Sequence, residues 1–158
     1  LTSDNRNALS LVILLRYGYF SALLTGDIGD SEERTILSHL PKVTVLKIAH
    51  HGSRFSTSKK LLSTTAPQVA MISAGRRNPF GHPSPDVLER IKKNGALAAS
   101  TSTLGSLRIS TDGFSFELQH YSMRRKEFVT ISRGVAHRNP GAHPTGQGSS
   151  LEPPNRGR

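Results

Sequence analysis

The chain has 158 residues, the length of one ordinary domain, with 35 % apolar and 6 % aromatic residues, low for a chain packed throughout. It has no cysteine, which excludes disulfides, thiolate metal sites and cysteine nucleophiles; any metal must be held by His, Asp or Glu, and seven His are present. Lys and Arg number 21 against 11 Asp and Glu, a net charge of +10, which favours a polyanionic partner such as nucleic acid or an acidic membrane surface.

The basic excess is spread along the chain: residues 1–111 hold 14 basic and 7 acidic residues, and residues 112–158 hold 7 and 4. The longest unbroken apolar run, Leu11 to Leu15, is far short of the ~20 residues that span a bilayer. The polar start Thr2-Ser3-Asp4-Asn5 does not read as a secretory leader.

Leu9 to Leu15 and Tyr19 to Thr25 are β-rich runs separated by Tyr17-Gly18, a hairpin signal. Asp30 starts a helix, with Glu33 completing a capping box, Ile36, Leu37 and Leu40 as its apolar face and Pro41 beyond its end. Val43 to Ala49 reads as a strand buried on both faces. The loop His50 to Ser58 leads to a short helix near Lys59 to Thr65, then a strand over Gln68 to Ser73 and a loop from Ala74 to Ser84.

Ser84-Pro85 opens a third helix with a cap and a first-turn proline, and Gly95 suits a left-handed C-terminal cap. Strands near Ala96 to Ser100 and Ser106 to Ser110, a turn at Thr111-Asp112-Gly113 and a last strand over Phe114 to Tyr121 follow. Strands alternating with helices indicate an α/β layered domain. From 134 to 158 the sequence has five Gly, four Pro and no aromatic residue, a composition expected to stay disordered. The expected division is an ordered domain over 1–120 and a mostly disordered basic tail over 121–158.

Three polar clusters fall directly after strand ends, where an open α/β sheet presents its functional loops. Thr25-Gly26-Asp27 places a carboxylate that suits a hard cation, or a simple Gly-Asp turn. His50-His51-Gly52-Ser53 places adjacent imidazoles in different directions, so that one is free to ligate while the other donates a proton. There Gly52 allows close backbone approach, and Ser53 and Ser56 are candidate donors to phosphate oxygens. Gly81-His82-Pro83 closes a basic loop that contains Arg76 and Arg77. Singly each cluster is ambiguous; their shared position at successive strand ends is the signal.

The runs Asn7-Ala8-Leu9-Ser10-Leu11-Val12-Ile13-Leu14-Leu15, Leu23-Leu24-Thr25-Gly26-Asp27-Ile28 and Val45-Leu46-Lys47-Ile48-Ala49-His50-His51-Gly52-Ser53-Arg54 resemble the metallo-β-lactamase-like domain that ends the ComEC competence proteins. The resemblance continues through Asn78-Pro79-Phe80-Gly81-His82-Pro83 and Pro85-Asp86-Val87-Leu88-Glu89-Arg90, covering about residues 5 to 110. It implies an αββα sandwich with two metal ions, zinc or manganese, at one edge. Asp27 would bridge the ions, His50 or His51 would supply the last ligand, and His82 would contact the substrate phosphate.

Three features depart from that pattern. The family's His-x-(His or Asp)-x-Asp-His run is absent, Ser84 stands where a second His is frequent, and Ser102 stands where an Asp is usual. The chain is therefore expected to be the C-terminal half of such a domain, completed by an N-terminal half and a membrane channel portion of the same protein.

The resemblance implies a metal-dependent hydrolase that cleaves DNA phosphodiester bonds during uptake, at the extracytoplasmic face of a bacterial membrane. His50, His51 and His82 are the candidate catalytic residues, and Arg54, Arg76 and Arg77 would form a backbone-binding rim with Ser53 and Ser56. Two rivals stand beside it: a small-substrate hydrolase of the same fold, and a basic DNA-binding module without catalysis. Ligand counting favours inactivity of the chain alone. Asp27 and one His make two ligands, whereas a catalytic zinc takes three and a water.

Overall fold

The structure, a computed structural model, describes residues 6–137. Its centre is a five-stranded sheet of β1 (Ile13–Tyr17), β2 (Phe20–Leu24), β3 (Val45–Lys47), β4 (Val69–Ile72) and β5 (Leu97–Ser100), in that spatial order. The β1–β2 hairpin is antiparallel, and every later pair is parallel. The parallel pairs follow from the crossovers: α1 (Asp30–Ile36), α2 (Lys59–Thr65) and α3 (Pro85–Asn94) each separate two successive strands. A second, antiparallel sheet holds β6 (Leu107–Thr111), β7 (Ser115–Ser122) and β8 (Glu127–Val135).

Both faces of the large sheet are buried. On one, Leu23, Leu46, Ile48 and Ile72 pack against Leu61 and Leu62 of α2 and Val87 and Ile91 of α3. On the other, Phe20, Val45, Val69 and Ala99 meet Phe116 and Leu118 of β7. The layers therefore run helix, sheet, sheet, as the α/β expectation requires. The outer face of the small sheet carries polar pairs, Arg133 to Glu117 and Arg108 Nε to Gln119 at 2.8 Å.

The caps of α3 are as expected. The Ser84 hydroxyl accepts from the Val87 amide, Pro85 opens the helix and Gly95 ends it with φ 84°. Three expectations need correction. The N-cap of α1 is Gly29, whose amide donates to Glu32, not a box between Asp30 and Glu33. A short helix, α4 (Thr101–Leu104), was not expected between β5 and β6.

The third correction concerns the division near residue 120, which falls within the small sheet, because β8 covers 127–135. Phe116 lies where a Cβ on Gly134 would stand, 2.7 Å from its ring, and Ala136 is buried. Gln68 also donates to the Val135 carbonyl at 2.8 Å. Gly134 and Ala136 are thus packed, against the expectation for 134–158, while the Val135 side chain is exposed; residues 138–158 lie outside the described residues.

The two sheets are joined at one end through their hairpin tips. The Gly113 carbonyl accepts from the amides of both Tyr19 and Phe20, at 2.7 and 3.0 Å. A Cβ on Gly18, which has φ +56°, would stand 2.8 Å from that same oxygen. Tyr19 and Phe114 pack edge to face beside the contact, 5.2 Å between centroids.

Glu33, fully buried in α1, joins the helix layer to the loop after β3. Its carboxylate accepts from the amides of Thr57 and of Ser58, the latter at 2.8 Å. Burial pushes its carboxyl above the usual range, against the pull of those two amides. Glu33→Gln keeps the volume but turns one acceptor into a donor facing an amide. It should cost about 1–3 kcal/mol, the usual penalty for stranding a buried polar group, read as a lower urea midpoint with unchanged m-value.

Candidate active site

Because β2, β3 and β4 are parallel, their C-terminal ends share one edge of the sheet, and the loops that follow them meet there. The Thr25 hydroxyl donates to the Lys47 carbonyl at 2.7 Å. The Gly26 carbonyl accepts from the His50 amide at 3.2 Å and from Lys47 Nζ at 2.9 Å. The Asp27 amide donates to Ser10 Oγ at 3.1 Å. These bonds place the Asp27 carboxylate between two nitrogen groups: Lys47 Nζ lies 3.6 Å from Oδ1, and His51 Nε2 lies 3.4 Å from Oδ2.

His50 and His51 both adopt left-handed backbone, with φ of 46° and 55°. Such geometry costs on the order of 1 kcal/mol or more for a non-glycine residue and persists only where the surroundings impose it. Gly52 imposes part of it. A Cβ there would stand 2.7 Å from Pro83 Cβ, so the His-His loop presses directly on the Gly81-His82-Pro83 loop. The Ser84 amide donates to the Gly52 carbonyl at 2.9 Å, which ties the two loops together.

The hydrogen bonds of His51 fix its tautomer. Nδ1 lies 2.7 Å from the Ser73 carbonyl, which only accepts, so Nδ1 carries a proton. Nε2 then faces the Asp27 oxygen.

His50 stands near Asn7, with 3.5 Å between Nε2 and Asn7 Nδ2, and meets His82 edge to face at 6.0 Å between centroids. Asn78 holds His82 on both sides, accepting from its amide at 2.8 Å and donating to its carbonyl at 2.6 Å. Burial pushes the His82 imidazole below its usual pKa, with the charges of His50 and His51 acting in the same direction. His82 Nδ1 is buried without a hydrogen-bond partner. His51 and His82 line an open cavity of about 420 Å³ together with Ser73, Asn78, Phe80 and Thr101.

The structure thus brings Asp27 and His51 into direct contact and sets His50 against His82. Arg54, Arg76 and Arg77 are exposed. Ser53 and Ser56 are not available as expected: both are buried. The Ser56 hydroxyl donates to the Ala49 and Ser53 carbonyls at 2.9 and 3.0 Å, and Ser53 Oγ accepts from the Phe55 amide at 3.4 Å. These hydroxyls shape the loop instead of facing a phosphate.

Sequence reasoning missed Ser10, which holds the Asp27 amide, and Lys47, which faces its carboxylate. Lys47 could have been noticed, since a lone ammonium at the end of an otherwise apolar strand needs a partner.

The donor set falls short of a resident catalytic metal. The 3.4 Å between Asp27 Oδ2 and His51 Nε2 suits two corners of a tetrahedral zinc site, whose donors lie about 3.4 Å apart for bonds of ~2.1 Å. No group of three or more His, Cys, Asp or Glu converges among the described residues. Ser102 is bonded to Ser100, 2.7 Å between hydroxyls. The described residues alone therefore do not fit the metal centre the resemblance implies.

No family model matches the chain. The chain is nonetheless similar over part of its length to segments of longer curated proteins. Recombination protein 2 of Haemophilus influenzae is 40 % identical over 113 residues, 72 % of this chain and 14 % of that protein. ComE operon protein 3 of Bacillus subtilis is 33 % identical over 106 residues, 66 % of this chain and 14 % of that protein. Competence protein ComA of Neisseria gonorrhoeae is 30 % identical over 105 residues, 65 % of this chain and 15 % of that protein. The chain spans about one-seventh of the length of these relatives.

Gly52→Ala tests the loop contact on which the cluster rests. The added methyl meets Pro83 in a backbone conformation that L side chains avoid, so the substitution should destabilise by about 1–3 kcal/mol. Thermal melting reads the loss, and NMR should show the His51 and His82 ring resonances shifting together, since both loops must move.

Proposed function

We propose that this chain is a DNA-handling segment of a bacterial competence system, working on the phosphodiester backbone at the edge where β2, β3 and β4 end. The observation that carries this reading is the meeting of Asp27 and His51 at 3.4 Å beside an open cavity, with Arg76 and Arg77 exposed on the loop after β4 that helps to line it. The names of the relatives, a competence protein and a recombination protein among them, support the same process. The net charge of +10 suits backbone contacts that position DNA without reading its sequence.

The chain's own chemistry there is binding and proton placement. The exposed arginines neutralise phosphates. His82, whose imidazole burial pushes below its usual pKa, and His51, bonded to the Ser73 carbonyl, both line the cavity. Hydrolysis with zinc or manganese is proposed for the complete protein only, because it needs donors that the described residues do not bring. Those donors would come from an N-terminal half, next to a membrane channel portion, at the extracytoplasmic face. Among the described residues no helix is long and apolar enough to cross a membrane.

The absence of a third donor among the described residues and the ammonium of Lys47 against Asp27 favour binding without cleavage for this chain alone. The purified chain should bind DNA with an affinity that falls steeply with salt. It should gain no thermal stability from zinc or manganese, and show no metal-dependent cleavage above an Asp27→Ala control. Supplying the rest of the protein should produce cleavage that Asp27→Ala and His51→Ala abolish. Manganese-dependent cleavage by the chain alone, lost in Asp27→Ala, would overturn the ligand count; no DNA binding at low salt would overturn the whole reading.

A further inference from the structure

Away from the strand-end cluster, the far side of the loop after β3 opens on a basic trough between α2 and α3. A cavity of about 550 Å³ is lined by Arg54, Phe55, Lys59, Lys60 and Arg90, with Asp30 at one side. A second hollow of about 250 Å³ shares Lys59 and Arg90 with it and continues to Lys93. The two therefore adjoin and form one continuous basic surface.

The cations of this trough outnumber its carboxylates. Asp30 is occupied by Arg34 and Glu89 by Lys93, the latter at 2.7 Å, with Lys59 also within electrostatic reach of Glu89. Among the described residues, Arg54, Lys59, Lys60 and Arg90 form no ion pair. Arg90 spends its N–H groups on the carbonyls of Arg54, Ser56 and Thr57, at 2.9 to 3.2 Å, so it fixes the loop while its charge remains in the trough.

Phe55 stands inside this basic surface with 69 % of its area exposed, a cost in water that nothing in the core requires. The Arg54 guanidinium lies 4.9 Å from its centroid. An exposed ring beside cations on a continuous basic surface is the combination that holds unpaired bases by stacking and their backbone by charge. Duplex DNA offers phosphates but no free base face, so Phe55 would contribute little to it.

We propose that this trough binds single-stranded nucleic acid, with a base stacked on Phe55 and the adjoining phosphates on Arg54, Lys59 and Lys60. The proposal rests on the DNA-handling reading and adds to it a second site and a strand preference. The trough and the strand-end cluster are ends of one loop. Phe55 lies four positions after His51, a span of at most about 14 Å, so a single oligonucleotide reaches both.

Fluorescence anisotropy on the full chain tests this, with labelled oligothymidylate and a duplex, each of about 20 nucleotides or base pairs, over a range of salt. Phe55→Ala and Phe55→Leu should each weaken oligothymidylate binding about tenfold, and duplex binding by less than about twofold. Phe55→Trp should preserve it. Lys59→Ala with Lys60→Ala should weaken both and lower the salt slope by about two. These side chains are exposed, so melting temperature should stay within error and separate lost binding from lost fold.

If the chain binds DNA but these variants bind as the parent does, while Arg76→Ala with Arg77→Ala loses binding, the trough is refuted and the DNA-handling reading stands. A chain that binds duplex but not oligothymidylate refutes the strand preference and the role of Phe55 with it. A chain that binds neither refutes both readings.

Discussion

Both candidate surfaces of this molecule depend on a ten-residue loop, 49–58, that has little regular structure to hold it. Its buried amides and carbonyls need partners, since stranding them away from water would cost more than a surface loop can offset. Two charged side chains supply five of them. Glu33 rises from α1 to take the amides of Thr57 and Ser58, and Arg90 reaches from α3 to the carbonyls of Arg54, Ser56 and Thr57. One end of the loop places His51 against Asp27 and the other exposes Phe55, so both surfaces depend on the same carboxylate and guanidinium.

The strand-end cluster is strained and charged at once. Two consecutive histidines in left-handed backbone are affordable only because Gly52 abuts Pro83 and the Ser73 carbonyl anchors His51. Lys47 brings a positive charge to one oxygen of the carboxylate whose other oxygen faces His51 Nε2.

Local signals in the sequence carried far. Ser84-Pro85 and Gly95 bounded α3 because capping chemistry acts within one turn, and the apolar run Val43 to Ala49 located the strand that has both faces buried. The grouping of Asp27, His51 and His82 at one edge was legible because parallel strands bring their C-terminal ends together. What was illegible depended on contacts distant in sequence. Glu33 looked like a capping residue, yet its carboxylate bonds residues 24 and 25 positions later.

Ser53 and Ser56 looked like phosphate donors, yet their hydroxyls turn inward to the loop. β8 was missed because its apolar residues alternate with Thr, Ser and Arg. It gains its stability from β7, where Gly134 makes room for the Phe116 ring.

Surface hairpin tips usually tolerate insertions and engineered junctions, because little depends on them. The tip at Gly18 is an exception. Its neighbours donate two amides to one carbonyl of another hairpin nearly a hundred residues away, and neither glycine has room for a side chain. Lengthening that turn would separate the two sheets at the end where they are joined. A tag, a permutation point or a natural insertion would therefore be selected against there, although by position alone it looks like the most permissive place in the molecule.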